Sequence, residues 1–295
     1  MNISEHIILF EQEMKRRQFS VQTIHNYSSC LKNFFGQSVK DHPKNINESD
    51  IRTFLGKFNE SNTQRVYHSA IKKFYEICLG QKEKFKYIPY CRINRRYPII
   101  LSQSETQKLF DACDNIKHKA IMYVAYATGV RVSELLNIRL CNIDRANMVI
   151  HIMHGKGAKQ RQVTMKPELL KIIETYWRVY RTREYLFEGQ NKGQYSAGSI
   201  NQFLNKYALK AGIKKKVHIH LLRHLYATHS LEAGENLYVT QKVLGHSSPK
   251  TTADFYYHIS PHIIANAYSP IQNLKGTHVA TATVNEVKNS LTHKV

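Results

Sequence analysis

The chain has 295 residues, 42% of them hydrophobic and 11% aromatic, which is enough for the cores of two ordinary domains. No apolar run approaches the roughly 18 residues of a membrane span, and the five cysteines contain no CxxC pair that would indicate a disulfide framework or a thiolate zinc site. The 43 lysines and arginines exceed the 22 acidic residues, and the formal net charge of +21 favours a polyanionic partner, most often nucleic acid. The N-terminal segment carries acids where a signal peptide carries bases, so we expect a cytoplasmic protein.

The first 80 residues predict a small bundle of four helices. Apolar residues recur at helical spacing over residues 4–17, over 20–36, from about 49 onwards, and from about 61 to 80. A serine at the start of the second segment is a typical N-cap, and glycines end the second and fourth segments.

A basic segment, QKEKFKYIPYCRINRRYP, follows this bundle. It holds six bases and one acid, and Pro89 and Pro98 prevent one continuous helix, so we place an interdomain linker at residues 85–100. The segment is either a solvated connector or a strap along a phosphate backbone, and its interleaved tyrosines favour the strap. The cations predicted to contact DNA here are Lys82, Lys84, Lys86, Arg92, Arg95 and Arg96.

A second domain is predicted from residue 101 onwards, mostly helical with a small antiparallel sheet. Ser102 and Glu105 form a capping box, and an apolar helix, KAIMYVAYAT, follows and ends at a glycine. The next helix begins a few residues later, which puts Arg131 at a helix junction. A cation at the start of a helix opposes the helix dipole, so a bound phosphate would explain this arginine.

Two short strands, NMVIHIM and QVTMK, flank the loop HGKGAKQ, and its two glycines predict a tight hairpin. Lys156 lies at the tip of this hairpin. The loop is not a P-loop, because the glycine spacing and the Ser or Thr after the lysine are missing. Lys159 and Arg161 on the same hairpin are further candidates for DNA contact. Helices are predicted near residues 167–180, 197–211, 219–233 and 237–244.

The stretch HIHLLRHLYATH, residues 218–229, places four histidines and one arginine in a helix with an apolar face. A buried guanidinium or imidazole loses much of its hydration energy unless another group pairs with it. The nearest acid downstream is Glu232, so the partner must come from elsewhere. His220 and Arg223 are three residues apart, which allows both to face one anion. The other histidines of the stretch are expected to be structural: His218, His224 and His229.

Groups of similar chemistry occur elsewhere in the chain. They are Arg131, Lys156, His246 in LGHSSPKTT, and the adjacent Tyr256 and Tyr257. Together with the histidine and arginine of the helix, they provide two arginines, a lysine, two histidines and a tyrosine, without an obvious carboxylate pair. Such a set suits a reaction at a phosphodiester without a metal, since arginines grip the nonbridging oxygens and offset the charge of the transition state.

Five segments of the chain resemble the motifs of the tyrosine recombinases, most of all the Xer and phage-integrase branch. They are ATGVRVSELLNI, HGKGAKQRQV, HIHLLRHLYATHSLEAG, LGHSSPKTT and DFYYHI, in the order and spacing of that family. Two N-terminal segments, SVQTIHNYSSCLKNF and NTQRVYHSAIKKFY, are similar to its core-binding domain. The resemblance spans roughly residues 4–262.

The resemblance implies a role for each member of the catalytic set. Arg131 and Arg223 would clamp the phosphate, and Lys156 would protonate the leaving oxygen. The remaining three are the pocket imidazoles of His220 and His246 and the nucleophile Tyr256.

The choice of nucleophile depends on one departure from the commonest family pattern. That pattern places the tyrosine one residue sooner, where this chain has Phe255, which has no hydroxyl. A related form, T-x-D-x-Y-x-H, fits residues 252–258 and selects Tyr256. Tyr257 is the alternative, because adjacent hydroxyls point apart on a helix and only one can be in line for attack.

The resemblance also implies the domain organisation. It predicts a mainly α protein: a helical core-binding (SAM-like) domain over residues 1–84, the linker over 85–100, and a mostly helical α+β catalytic domain with a small antiparallel sheet over 101–268. Residues 269–295 would form a C-terminal tail, which is either an unstructured basic segment or a short apolar helix that docks on the next protomer.

The implied activity is that of a site-specific DNA recombinase. It would cleave and rejoin strands through a covalent 3'-phosphotyrosyl intermediate and a Holliday junction, without metal, ATP or another cofactor. The implied partners are a double-stranded DNA site and further copies of the chain in a homotetramer on two sites, with a related recombinase or accessory protein as additional candidates. The implied location is the cytoplasm, at the nucleoid.

Three other functions fit part of the sequence. His220 and His224 are four apart, as in zinc-binding helices, but HLLRH lacks a catalytic glutamate and no third ligand is evident. A DNA-binding regulator would keep the charge and the helices, but it needs neither Tyr256 nor Lys156. A relaxing topoisomerase would share the covalent chemistry, and strand exchange between two sites would exclude it.

Overall fold

The computed structural model describes residues 2–38, 40, 42–93, 100–153, 160–190 and 192–245. Backbone contacts divide the chain into two units, Met1–Arg96 and Tyr97–Val295. Each unit has its own hydrophobic core, and the mainly helical fold predicted from the sequence is confirmed. No helix in the described parts is long and apolar enough to cross a membrane.

The first unit is a helical bundle. The described α-helices of this unit are α1 (Ile3–Arg16), α2 (Val21–Gly36), α3 (Glu48–Gly56) and α4 (Ser61–Cys78). Polar side chains fix where three of them begin. Asn2 and Asn47 each form a capping box with the carboxylate three residues later, and the Ser20 hydroxyl accepts a bond from the Thr23 amide.

Interlocked aromatic rings form much of the core of this bundle. Phe34 of α2 contacts Phe54 of α3 with ring centroids 4.8 Å apart, and Phe35 contacts Phe74 of α4 at 5.1 Å, both edge to face. This geometry is the one that the ring quadrupoles favour. Tyr75 is fully buried and donates to the carbonyl oxygen of Pro43 over 2.7 Å, which joins α4 to the connection before α3.

Residues 85–92, named here the exit segment, belong to the first unit and pack against its helices. Phe85 and Ile88 are buried in its core, and three side chains of α3 and α4 donate to main-chain carbonyls of the segment. Arg52 donates to Tyr87, His68 donates to Ile88 over 2.8 Å, and Arg65 donates to Cys91 over 3.0 Å. Residues 85–92 of the predicted linker therefore have a fixed path along the bundle.

The second unit contains the remaining elements. Its described α-helices are α5 (Gln103–Asp111), α6 (Ile116–Thr128), α7 (Val132–Leu136), α8 (Pro167–Tyr180), α9 (Ala197–Lys210), α10 (Ile219–Glu232) and α11 (Leu237–Leu244). Its strands are β1 (Ile143–Asp144), β2 (Val149–Ile152) and β3 (Arg161–Thr164). The capping box predicted at Ser102 and Glu105 is present at the start of α5.

The sheet is antiparallel, in the order β1–β2–β3. The β2–β3 hairpin predicted from the sequence is confirmed, with Ile150 opposite Val163 and both side chains buried. The two-residue strand β1 was not predicted. It pairs Asp144 with Val149 at the outer edge of β2.

Helices α6 and α10 pack against each other at the centre of this unit. Helix α6 buries residues on several sides, because α8 also packs on it. Helix α10 buries Leu221, Leu222 and Leu225 around Arg223. The apolar packing of α10 thus carries a guanidinium into the core, where it meets the end of α6 and the end of α11.

Candidate active site

Arg223 on α10 is only 6% exposed, and main-chain carbonyls surround its guanidinium. Nη1 donates to Gly129 over 2.5 Å and Nη2 donates to Leu244 over 2.7 Å. These oxygens are the partners that the sequence around Arg223 does not supply. Burial, followed by the positive charge of Arg131, lowers the pKa of Arg223 to about 9. The group is charged at neutral pH, and a nearby anion would stabilise it further.

Arg131 is the N-cap residue of α7, and its partner is a carboxylate that the sequence motifs did not single out. The Glu134 side chain is completely buried. It accepts from the Arg131 amide over 2.7 Å and from Arg131 Nη1 over 2.9 Å. Arg131 Nη2 also donates to the Gly245 carbonyl over 3.1 Å. A glutamate at the third position of a helix ordinarily closes a capping box, and here it also fixes the direction of the arginine.

Arg161 on β3 binds the same carboxylate. Its Nη1 and Nη2 donate to the two oxygens of Glu134 over 2.9 and 2.7 Å, and its Nε donates to Val243 over 2.8 Å. Burial opposes ionisation of Glu134, but the bonds from Arg161 and Arg131 outweigh it and lower its pKa to about 2. The side chain of Arg161 is 12% exposed, and the contact with DNA predicted for it stays a prediction.

The C-terminal end of α11 is where the three arginines meet. Three successive carbonyls, at residues 243, 244 and 245, accept bonds from Arg161, Arg223 and Arg131 respectively. The last carbonyls of a helix lack intrahelical partners and carry the negative end of its dipole, so cations are favoured there. Gly245 ends the helix with φ +65°, a conformation that a residue without Cβ adopts readily.

His220 lies one turn before Arg223 on α10, at the exposed edge of this cluster. Desolvation, then the charges of His218, Arg223 and Arg131, lowers the pKa of its imidazole. The lowered pKa favours the neutral imidazole, which is the form that can accept a hydrogen bond or a proton.

Two of the histidines predicted to be structural, His218 and His229, have structural contacts. His218 is the N-cap residue of α10, and its Nδ1 accepts from the Leu221 amide over 3.1 Å. His229 is buried, donates from Nε2 to Leu101, and accepts at Nδ1 from the Tyr126 hydroxyl over 2.8 Å. Among the described residues, no three histidine, cysteine or acidic side chains group as a metal site.

Four of the residues predicted to contact DNA lie within or just before the exit segment. Lys82, Lys86 and Arg92 are exposed, whereas the ammonium of Lys84 lies 4.3 Å from the centre of the Tyr75 ring. A neighbouring cavity of ≈ 540 Å³ brings in further cations, which no sequence motif indicated. It is lined by Tyr27, Ser69, Lys72, Lys73, Glu76, Lys82 and Tyr90.

Several predicted site residues lie outside the described residues. They are Arg95, Arg96, Lys156, Lys159, His246, Tyr256 and the alternative nucleophile Tyr257. The described part of the predicted catalytic set is Arg131, His220 and Arg223, and these three residues come together at the junction of α7, α10 and α11.

Two family models match the chain. The model of the phage integrase family matches residues 100–262, more than half of the chain. The model of the phage integrase N-terminal SAM-like domain matches residues 8–84. The chain belongs to the phage integrase family.

Relatives narrow this to the tyrosine recombinases. Tyrosine recombinase XerC of Bacillus subtilis is 28% identical over 293 residues, covering 90% of this chain and 96% of that protein. The crystal structure of XerA recombinase has 29% identity and a TM-score of 0.54, covering 90% of this chain and 97% of that one. The resemblance inferred from the motifs is confirmed: the chain is a Xer-like tyrosine recombinase, an enzyme of site-specific DNA strand cleavage and rejoining.

A more distant structure shares the fold. It is a lambda integrase tetramer bound to a Holliday junction, with a TM-score of 0.73 and 16% identity, covering 86% of this chain and 77% of that one. At this identity the likeness concerns the arrangement of helices and strands alone.

Proposed function

We propose that this tyrosine recombinase performs its chemistry with a defined set of side chains: Arg131, Lys156, His220, Arg223, His246 and Tyr256. The observation that supports the set is the meeting of Arg131 and Arg223 at adjacent carbonyls of residues 245 and 244. A guanidinium has five N–H donors, more than the two side-chain contacts described for each arginine. Two such groups side by side match the nonbridging oxygens of a phosphodiester.

The proposed reaction starts with the Tyr256 hydroxyl. An unperturbed phenol with a pKa near 10 is about one part in a thousand ionised at neutral pH, so a cationic pocket and an imidazole must assist its deprotonation. The phenolate oxygen forms a bond to phosphorus and the bond to the 5' oxygen breaks, with Lys156 giving that oxygen its proton. The 3'-phosphotyrosyl bond preserves the energy of the phosphodiester, so a second strand is joined without a nucleotide cofactor. Neither metal nor ATP takes part in this scheme.

The proposed assembly places four copies of the chain on two double-stranded DNA sites, with a Holliday junction between the strand exchanges. Residues 1–84 are the core-binding domain, 85–100 the linker, 101–268 the catalytic domain and 269–295 the tail. Support comes from a net charge of +21 and from the exposed cations of the exit segment. A protein with this substrate would work in the cytoplasm, at the nucleoid.

The test of this function uses nicked suicide duplexes, chosen from a random pool by their binding to the protein. The unaltered protein should become linked to the 3' end of a cut strand, and Tyr256→Phe should bind the same duplex without forming the adduct. Tyr257→Phe is the matched control and should form it. Loss of the adduct in Tyr257→Phe alone would move the nucleophile by one residue, and recombination between two sites would exclude a simple topoisomerase.

A further inference from the structure

Arg161 is neither an exposed surface cation nor a member of the proposed catalytic set. It extends from β3 to the buried carboxylate of Glu134 and to the carbonyl of Val243. All three of these contacts are within the protein, and they join β3, α7 and α11. The site-facing arginine, Arg131, shares both the carboxylate and the end of α11 with it.

The ion pair of Arg161 with Glu134 affects how strongly Arg131 attracts a phosphate. Glu134 is fully buried, and its pKa of about 2 means that it is negatively charged at neutral pH. With Arg131 as its sole cationic partner, the pair would be close to neutral, and the attraction of Arg131 for a phosphate would be reduced. Because Arg161 binds both carboxylate oxygens, it offsets the charge of Glu134 and leaves the positive charge of Arg131 uncompensated.

The geometry of Arg161 requires a guanidinium and not merely a cation. Two parallel N–H···O bonds to one carboxylate use the fork of Nη1 and Nη2, and the third bond uses Nε. A lysine provides a point charge and is unable to reach Glu134 and Val243 with one planar group. The guanidinium also lies close to Gly245. A Cβ at residue 245 would be 3.1 Å from Nη1 of Arg161, so a larger residue there would crowd the arginine.

We propose that Arg161 is a positioning residue, which holds Glu134 and the end of α11 in place and keeps Arg131 cationic toward the scissile phosphate. The inference rests on the proposed function, since it concerns the same phosphate site. It assigns to Arg161 no contact with DNA. It also explains why a buried carboxylate is present in a site that must attract an anion.

The test measures the rate of covalent adduct formation at saturating suicide duplex, together with the affinity for that duplex. Arg161→Gln removes one positive charge and should slow the adduct step by about 10- to 100-fold, because Arg131 is then largely neutralised. The double variant Arg161→Gln with Glu134→Gln removes the opposing charge as well and should be at least about tenfold faster than Arg161→Gln alone. A purely structural role predicts the opposite, since the second substitution removes further buried bonds.

The matched control is Arg145→Gln, which removes an arginine from a surface ion pair with Glu174 in the same unit. It should leave the adduct rate and the DNA affinity unchanged. The inference is overturned if Arg161→Gln forms the adduct as fast as Arg145→Gln, or if the double variant is no faster than Arg161→Gln. Either result leaves the proposed function intact. Absence of any adduct with the unaltered protein overturns the proposed function, and the inference with it.

Where Arg161→Gln is too unstable for assay, Arg161→Lys provides the test, because it keeps the charge and loses the fork. Positioning then predicts an adduct rate about tenfold or more below that of the unaltered protein, with DNA affinity preserved. A wild-type rate in Arg161→Lys overturns the inference.

Discussion

Gly129 lies directly against Leu244: a methyl group on the Gly129 Cα would be 2.7 Å from Leu244 Cδ2. The same added methyl would be 2.7 Å from the ring of Tyr226. Gly129 also has φ +59°, and its carbonyl accepts a bond from Arg223. The turn after α6 and the end of α11 therefore meet at a position where no side chain fits.

We expect Gly129→Ala to destabilise the protein more than an equivalent change at Gly212. Gly212 has φ +69°, and nothing lies within 4 Å of an added Cβ, so Gly212→Ala isolates the left-handed backbone cost of about 1–2 kcal/mol. Overpacking at Gly129 should add about 1–3 kcal/mol to that cost. Urea unfolding of both variants gives the comparison, and equal losses would mean that α11 moves aside freely.

The free energy of unfolding should fall in acid because the buried carboxylate of Glu134 becomes protonated. Its pKa is lowered from 4.5 to about 2 in the folded protein, so its contribution is fully present above pH 4.5 and is lost as the pH falls from 4.5 toward 2. The contribution is on the order of 3 kcal/mol. The difference in unfolding free energy between the unaltered protein and Glu134→Gln should therefore shrink between pH 6 and pH 3.

The control for this titration is Glu174→Gln, which takes a carboxylate from the surface pair with Arg145. Surface pairs contribute little, so its stability difference from the unaltered protein should be small at both pH values. A difference for Glu134→Gln that is the same at pH 6 and pH 3 would argue against a strongly lowered pKa.

The path of the exit segment should depend on Arg65. Arg65 donates to Cys91 and lies 4.7 Å from the centre of the Tyr90 ring. Arg65→Met removes both interactions, so we expect faster cleavage by trypsin after Lys86. Lys72→Met is the matched control, because Lys72 lies above the same ring at 6.0 Å. Equal cleavage rates in the two variants would mean that the main-chain bond does not hold the segment.

A substrate with a better leaving group should make the proton donor Lys156 unnecessary. Lys156→Ala is expected to cleave slowly, because the departing 5' oxygen then lacks its proton donor. A substrate with sulfur at that 5' position leaves without protonation, so it should restore the rate of adduct formation in this variant. The absence of rescue would mean that Lys156 only holds the phosphate.

Removal of the tail should separate DNA binding from assembly. Residues 269–295 contain Val284, Val287 and Leu291 at helical spacing, and so short a helix is marginal unless it packs on another surface. A chain that ends at Ser269 should bind a single site normally and show reduced pairing of two sites and strand exchange. Recombination at the full-length rate, with the same order of strand cleavage, would show that the tail has no such role.

The helices and the hairpin were predictable because their signals are local. Caps such as Ser102, apolar spacing and chain-breaking glycines act within a few residues. Strand β1 has only two residues, Ile143 and Asp144, too few for an alternating pattern to be recognised. Its formation depends on pairing with β2. No feature of its own sequence predicts that pairing.

The residue types of the site could be predicted from the sequence, but the groups that hydrogen-bond to them could not. Motifs located Arg131 and Arg223, yet the partners of Arg223 are carbonyls, which every residue has and no sequence pattern marks. Glu134 lies three residues after Arg131, but its second partner, Arg161, comes from a strand distant in sequence. The signal available in the sequence was an acid three residues after a motif arginine.

The exit segment has a consequence for how this protein diverges from its relatives. Its bonds to α3 and α4 go to the main chain of residues 87, 88 and 91, and a carbonyl oxygen survives any substitution. Exposed Tyr87 is therefore free to change during evolution without altering the route of the chain. Selection on that route would act on the three donors, Arg52, Arg65 and His68, so the path of residues 85–92 is encoded in the bundle.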